Sequence, residues 1–310
     1  MQPRANAVVV LAGGTGGAKL ARGMLDVAGE DLVVVANTGD DLEIYGAHVS
    51  PDPDLCTFWL ADRIDGRGWG LAGDTFAVMD GLRELGVDVW FNLGDRDLAF
   101  GVRRAELLTA GARLTEALDE LGRALGLRAR VLPMSDAPVR TVVRSGEREL
   151  PFQEFMVRER AAPPIDGVRF DGIQRAAPPP EVLEAIAGAR AIVIGPSNPI
   201  ISIRPILEVP GMREALAASP AAVVAVSPFV GGRVVKGPTE PFLAWAGVPA
   251  GASGIAELYG DLLDGLVADE RADVAVPLLE TETLMADAAS RRRVAEEVLT
   301  FAGALAGSPA

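Results

Sequence analysis

The sequence predicts an α/β fold: a Rossmann-like, open, mostly parallel sheet flanked by helices, with a smaller inserted α+β lobe. Three observations carry this. The β-branched run Val8-Val9-Val10 leads into the glycine turn Gly13-Gly14-Thr15-Gly16-Gly17, then into a helix-compatible stretch at 18–28. A second apolar run, Leu32–Ala36, has the pattern of a strand buried on both faces, which closes a right-handed βαβ unit. The strand–helix rhythm then breaks at residue 101 and returns at 176, giving a core of residues 1–100 and 176–310 and a lobe of residues 101–175.

Each element has a local reason. A strand, a glycine turn and a helix aim backbone N–H groups and a helix N-terminus at one point, where a phosphate binds well. Lys19 follows where a dinucleotide fingerprint would have Gly or Ala, and no Gly-Lys-Ser/Thr follows, so the turn is neither motif. A tight packing turn satisfies the same residues. The second strand ends in Asn37-Thr38-Gly39-Asp40-Asp41, and the next loop is Ser50-Pro51-Asp52-Pro53-Asp54. Loops after parallel strands share one ligand-facing edge. The four aspartates suit turn chemistry, with Asp54 capping a helix at 55–64, and equally suit a divalent-cation and hydroxyl-binding cluster.

A glycine-rich loop at 66–73, a helix at 75–85 and a third sheet strand at 87–93 follow, the strand ending in Gly94-Asp95-Arg96-Asp97. That ending reads as a salt-bridged turn or as a phosphate or metal shell. Residues 101–126 read as helical, 131–136 and 141–143 as short strands, and Ser145-Gly146-Glu147-Arg148 as a hairpin turn. Proline-rich stretches at 161–165 and 176–180 lead out of the lobe. Strands at 191–195 and 221–226 end in Gly195-Pro196-Ser197-Asn198-Pro199 and Ser227-Pro228-Phe229-Val230-Gly231-Gly232. Helices at 254–266 and 283–305 enclose a strand at 274–276. His48 reads as a loop residue, Cys56 as a core thiol, and Trp59, Trp69 and Trp90 as packing, unless an exposed one stacks on a planar ligand.

Composition narrows the chemistry. Apolar residues make up 49% of the chain, enough for a sizeable core. A net charge of −14 argues against nucleic acid and anionic membrane partners. One cysteine and one histidine exclude an intrachain disulfide, a histidine-based triad and a multi-histidine metal site. Any metal would be held by carboxylates, which favours Mg²⁺. Residues 1–7 lack a signal-peptide core and the apolar runs are strand-sized, so a cytoplasmic protein is expected.

Taken in order, the motifs 13–20, 37–41, 50–54, 93–97, Leu132-Pro133-Met134-Ser135-Asp136, Phe152-Gln153-Glu154-Phe155, 195–203 and 226–232 resemble the 2-phospho-L-lactate transferase family of coenzyme F(420) biosynthesis, with its phosphoenolpyruvate transferase branch. The resemblance implies a lactyl or enolpyruvyl guanosine diphosphate donor and a deazaflavin acceptor, 7,8-didemethyl-8-hydroxy-5-deazariboflavin. The acceptor's ribityl hydroxyl attacks the phosphate bearing the acid, and GMP leaves. It further implies Mg²⁺, a homodimer, and deazaflavin contacts from Asp54 and Asn92. On this reading Asp54 and Asp41 are the catalytic candidates and Asp40, Asp41 and Asp52 the metal candidates. Gly13, Gly14, Thr15, Gly16, Gly17, Lys19, Ser197 and Asn198 would hold the nucleotide phosphates. Phosphoryl transfer relies on positioning and charge neutralisation, so a chain without a catalytic His or Cys suits it. Two other readings are a nucleotide-sugar-binding regulatory protein of a related branch and a nicotinamide-dependent oxidoreductase. The 93–97 and 152–155 motifs favour the transferase, and the imperfect fingerprint disfavours the oxidoreductase.

Overall fold

A computed structural model describes residues 6–307. The expectation drawn from residues 1–7 therefore lies largely outside the described residues. β1 (Ala7–Ala12) runs into α1 (Gly14–Ala28), and β2 (Leu32–Ala36) returns parallel to it, Val10 opposite Val34. The helix begins within the glycine turn itself, at Gly14, with Gly13 as its N-cap. A hairpin, β3 (Leu42–Ile44) with β4 (Ala47–Val49), precedes α2 (Pro51–Leu60). Ser50 is the N-cap of α2, so Asp54 is not a cap; it shares the first turn with Asp52. Proline at N1 starts the helix early, and both carboxylates sit at its positive end.

Next come α3 (Ala77–Glu84) and α4 (Asp95–Thr109), and the expected strand at 87–93 does not form. Its apolar alternation is satisfied another way. Val89, Phe91 and Leu93 pack into a small core with Ala47, Val49, Met79 and Leu98. The place beside β2 is taken by β5 (Arg130–Pro133), which follows α5 (Leu114–Ala124). The strands β6 (Arg140–Ser145), β7 (Arg148–Pro151) and β8 (Gly167–Asp171) form an antiparallel sheet in the order β7-β6-β8. Val143, Leu150 and Phe170 of this sheet share one hydrophobic core with Val9, Val33 and Ile192. Residues 101–175 are therefore not a separately cored lobe: β5 lies in the main sheet, the β7-β6-β8 sheet shares its core, and α4 packs on the β3–β4 hairpin.

The main sheet resumes with α6 (Pro180–Ala187) and β9 (Ala189–Ile194), then α7 (Arg204–Glu208), α8 (Met212–Ala217) and β10 (Val223–Val226). After a small hairpin, β11 (Phe229–Val230) with β12 (Arg233–Val234), come α9 (Thr239–Ala246) and α10 (Ala252–Tyr259). β13 (Gly265–Ala268), β14 (Leu278–Glu280) and α11 (Ala288–Ala306) complete the chain. Helix α10 stops at Gly260 in a positive-φ conformation, so the run expected to end a helix supplies β13 instead. A short, fully buried apolar run has no periodicity to separate strand from helix. The strand expected at 274–276 forms later, as β14, and α11 starts behind an Asp287 cap rather than at 283.

Seven strands in the order β14-β13-β10-β9-β1-β2-β5 make the central sheet, and every pair is parallel. Strand alternation divides its side chains between two cores. Val8, Val10, Val34 and Val224 face α1 and α11, while Val9, Val35, Ile192 and Ala225 face α6, α8 and the small sheet. Among the described residues no helix is long and apolar enough to cross a membrane.

Candidate active site

The parallel strands bring the loops after β1, β2, β9 and β10 to one edge, where they border a cleft of about 830 Å³. Gly13, Gly14, Thr15, Gly16, Lys19, Asp40, Asp52, Asp54, Asn92, Ser197 and Asn198 all line it. Of the expected residues, Gly17 and Asp41 do not. Gly17 lies beneath the turn, where a Cβ would stand 2.5 Å from Ser197 Oγ and 2.9 Å from the Ala12 Cβ.

The glycine turn is tied down by the chain's own groups. Gly13 N–H donates to Ser197 Oγ at 3.1 Å, and Gly14 N–H donates to Asp52 Oδ1 at 2.6 Å. Asn37 Nδ2 donates to the other Asp52 oxygen at 2.9 Å. A carboxylate of this chain thus occupies the anion position at Gly14, leaving the first-turn N–H groups of Thr15 and Gly16, which have no intrahelical acceptors. Asn198 Oδ1 accepts from Ile200 and Ile201 N–H at 2.9 and 3.2 Å, so it shapes its own loop. Gly16 packs against the facing loop, and a Cβ there would stand 2.2 Å from Pro196 O. Gly16→Ala is expected to destabilise the protein by roughly 1–3 kcal/mol, measured by urea unfolding. An unchanged midpoint would show that the two loops separate freely.

Positive charge gathers on one part of the wall. Lys19 Nζ donates to Met285 O at 3.2 Å, and Lys236 lines the same cleft. Burial, then Arg291 and Lys236, hold the Lys19 ammonium below its usual range. An incoming dianion would relieve that repulsion.

The acids are arranged differently from a four-aspartate cluster. Asp41 accepts from Ser50 Oγ at 2.7 Å and meets His48 Nε2 at 3.1 Å, and it borders a separate cavity of about 200 Å³. Ser50 N–H in turn donates to Asp54 Oδ2 at 3.3 Å, so Asp41 positions the start of α2. Asp40 and Asp52 remain in the cleft. Asp40 Oδ1 is buried without a hydrogen-bond partner, and burial and then the Asp52 charge push its carboxyl well above the usual range. Burial raises Asp52 to about 6, against the opposing bonds from Asn37 and Gly14. Among the described residues no group of three or more His, Cys, Asp or Glu side chains could hold a metal. The expected three-carboxylate set of Asp40, Asp41 and Asp52 is therefore not assembled, because consecutive residues 40 and 41 face different cavities. The pair Asp40 and Asp52 does fit Mg²⁺, which is commonly held by one or two carboxylates completed by water and substrate phosphates.

Asp54 is buried against Arg104, whose side chain is wholly enclosed. Arg104 Nη1 donates to Asp54 Oδ2 at 3.1 Å and to His48 O at 2.8 Å, and Nη2 donates to Asp54 Oδ1. Burial raises the Asp54 carboxyl, and the guanidinium opposes that shift. Asn92 Oδ1 accepts from Arg83 Nη2 at 2.6 Å. Trp69, Trp90 and Phe91 add a flat apolar wall, with Trp69 half exposed. Trp59 is packing, as expected: it is buried and its Nε1 donates to Gly68 O. Cys56 is a core thiol whose pKa burial raises far above the usual range. His48 lies on β4 rather than in a loop, between Asp41 and Glu43. Arg104, Lys236 and Asp97 border or support the site; the sequence raised Asp97 only within the 93–97 turn, read as a salt bridge or a phosphate or metal shell, and raised the other two not at all.

The family model described as 2-phospho-L-lactate transferase CofD matches residues 8–297. A phosphoenolpyruvate transferase from Kitasatospora aureofaciens is 44% identical over 88% of this chain and 88% of its own. A 2-phospho-L-lactate transferase from Methanosarcina mazei is 41% identical over 85% of this chain and 87% of its own. A crystal structure of a UPF0052 family member from Bacillus halodurans, 18% identical, superposes with a TM-score of 0.60 and covers 96% of this chain and 99% of that one. This last likeness is one of fold.

Proposed function

The chain belongs to the 2-phospho-L-lactate transferase CofD family, and from that premise we propose that it transfers a phospho-lactyl or phospho-enolpyruvyl group in coenzyme F(420) biosynthesis. The donor is lactyl- or enolpyruvyl-2-diphospho-5′-guanosine, the acceptor is the ribityl hydroxyl of 7,8-didemethyl-8-hydroxy-5-deazariboflavin, and GMP is released. One observation carries the reading: a single cleft joins a cationic wall, a pair of carboxylates and an aromatic wall beside Asp54 and Asn92. The first two suit a diphosphate, and the third suits a flat tricyclic ring.

In this reading Lys19, Lys236, Ser197 and the Thr15 and Gly16 N–H groups bind the diphosphate. Asp40 and Asp52 hold Mg²⁺, which when bound neutralises charge on the phosphates. Asp54, fixed by Arg104, accepts a hydrogen bond from the deazaflavin, and Asn92 lies at the rim beside the ring. Asp41 acts from behind through Ser50. The protein works in the cytoplasm as a homodimer, and the exposed Val78, Leu85 and Val87 around α3 are apolar surface that such a pair would cover.

Fluorescence titration tests the acceptor site. The deazaflavin is expected to bind in the micromolar range, and Asp54→Asn to weaken it about tenfold or more, since a hydrogen bond to a charged group is worth about 1.5–3 kcal/mol. Binding of a UDP-sugar with no deazaflavin affinity would replace this reading with the nucleotide-sugar one.

A further inference from the structure

We propose that Asp97 is the general base that takes the proton from the attacking hydroxyl. The inference rests on the transferase reading and goes beyond it, because Asp54 is the obvious candidate and the geometry disfavours it. Both Asp54 oxygens are held by Arg104. A carboxylate fixed bidentately on a guanidinium is a good anchor and a poor proton acceptor.

The other carboxylates around the 93–97 turn are also spoken for. Asp74 accepts from Thr75 and Arg96 N–H on Oδ1, both at 2.9 Å, and from Asp97 N–H on Oδ2 at 3.3 Å. It therefore caps α4. Asp95 accepts from Thr75 Oγ1 at 2.6 Å, Ala77 N–H at 3.0 Å and Val78 N–H at 2.9 Å, and so caps α3. Among the described residues Arg96 does not pair with its acidic neighbours, and its guanidinium reaches only Ala72 O, at 3.5 Å. Asp52 is engaged by Gly14 and Asn37. Asp97 differs from all of these. It lines the cleft with Asp54, Asn92 and Phe91, and among the described residues no donor reaches its carboxylate.

Its surroundings suit a base. Burial comes first, followed by the charges of Asp54 on α2 and Asp74 before α3, with Arg104 on its own helix opposing; together they push Asp97 to about 7. A base works best with a pKa near the operating pH. In the step, the hydroxyl proton passes to the Asp97 carboxylate while the oxygen forms a bond to the phosphorus bearing the three-carbon acid. The bridging P–O bond breaks, and GMP leaves with that electron pair. Asp97 then returns its proton to water.

The test is the single-turnover rate against pH at saturating Mg²⁺, so that protonation of Asp40 and Asp52 does not limit the rate, with deazaflavin affinity measured alongside. Wild type should lose rate as pH falls through about 7, because a protonated Asp97 cannot accept. Asp97→Asn should bind the deazaflavin within about threefold of wild type, turn over about 10²–10⁴-fold more slowly, and lose that acid limb. Asp97→Glu should keep the limb, and it serves as the test if the Asn protein does not fold. A flat wild-type profile, an Asn variant within about threefold of wild-type rate, or a wild-type acid limb surviving in that variant would each overturn the assignment. Absence of product from wild type at every pH would instead refute the transferase reading.

Discussion

Replacing Arg104 with Met is expected to cost about 3–5 kcal/mol of stability, the usual penalty for stranding one partner of a buried ion pair. Arg104 is fully enclosed and Asp54 nearly so. Without the guanidinium, the Asp54 carboxylate keeps, among the described residues, only the long bond from Ser50 N–H, at 3.3 Å. The loss should depend on pH. Burial lifts the folded-state pKa of Asp54 above its unfolded value, and without Arg104 only the Ser50 N–H bond opposes that lift. Below the unfolded value, about 3.9, both states carry the proton and the penalty is small. The penalty grows as pH rises through the folded-state value. Urea unfolding from pH 4 to 8 measures it, and Arg104→Met with Asp54→Leu should recover most of the loss. A loss below about 1 kcal/mol at pH 8 would mean that Asp54 finds solvent in the folded protein.

Asp40→Asn should separate stability from activity. Asp40 is a buried carboxyl with one unpartnered oxygen, facing the Asp52 charge. Its raised folded-state pKa means that its contribution is favourable at low pH and is lost as pH rises. At pH 8 in EDTA the Asn protein should therefore be more stable than wild type, by about 1–3 kcal/mol, the cost of an unsatisfied buried group. Adding Mg²⁺ should reverse the order, because only the paired carboxylates gain binding energy from the ion. The Mg²⁺ concentration for half-maximal turnover should rise at least about 10–100-fold in the variant. Thermal melts with EDTA and with Mg²⁺ read both effects. Equal Mg²⁺ stabilisation of both proteins would remove Asp40 from the metal site.

The sequence reveals the parts of this fold whose signal is local. β1, the glycine turn and β2 are contiguous apolar runs with turn chemistry between them, and they form where expected. Residues 87–93 have a true alternation, but alternation reports burial of one face, not a hydrogen-bonded neighbour. Here the buried face meets the β3–β4 hairpin and α4. The sheet position was available to β5 because α4 and α5 carry the chain back to the edge beside β2. Site residues follow the same division. Gly14, Asp40, Asp52 and Ser197 lie just past strand ends, in loops or first helical turns, and are legible from topology. Asp41 shares that loop, yet bonds to Ser50 and His48 turn it away. Arg104 lies mid-helix and meets Asp54 across fifty residues of chain, which no local pattern encodes.

GMP release tests the transferase activity most directly. The protein is incubated with Mg²⁺, the deazaflavin and, separately, the lactyl and enolpyruvyl guanosine diphosphate donors, and GMP and the deazaflavin product are followed by chromatography. GMP and phospho-acid-bearing deazaflavin are expected in equal amounts from at least one donor, with the faster donor identifying the acid. No GMP and no product from either donor, with an authentic family enzyme active in the same mixture, would contradict the transferase reading.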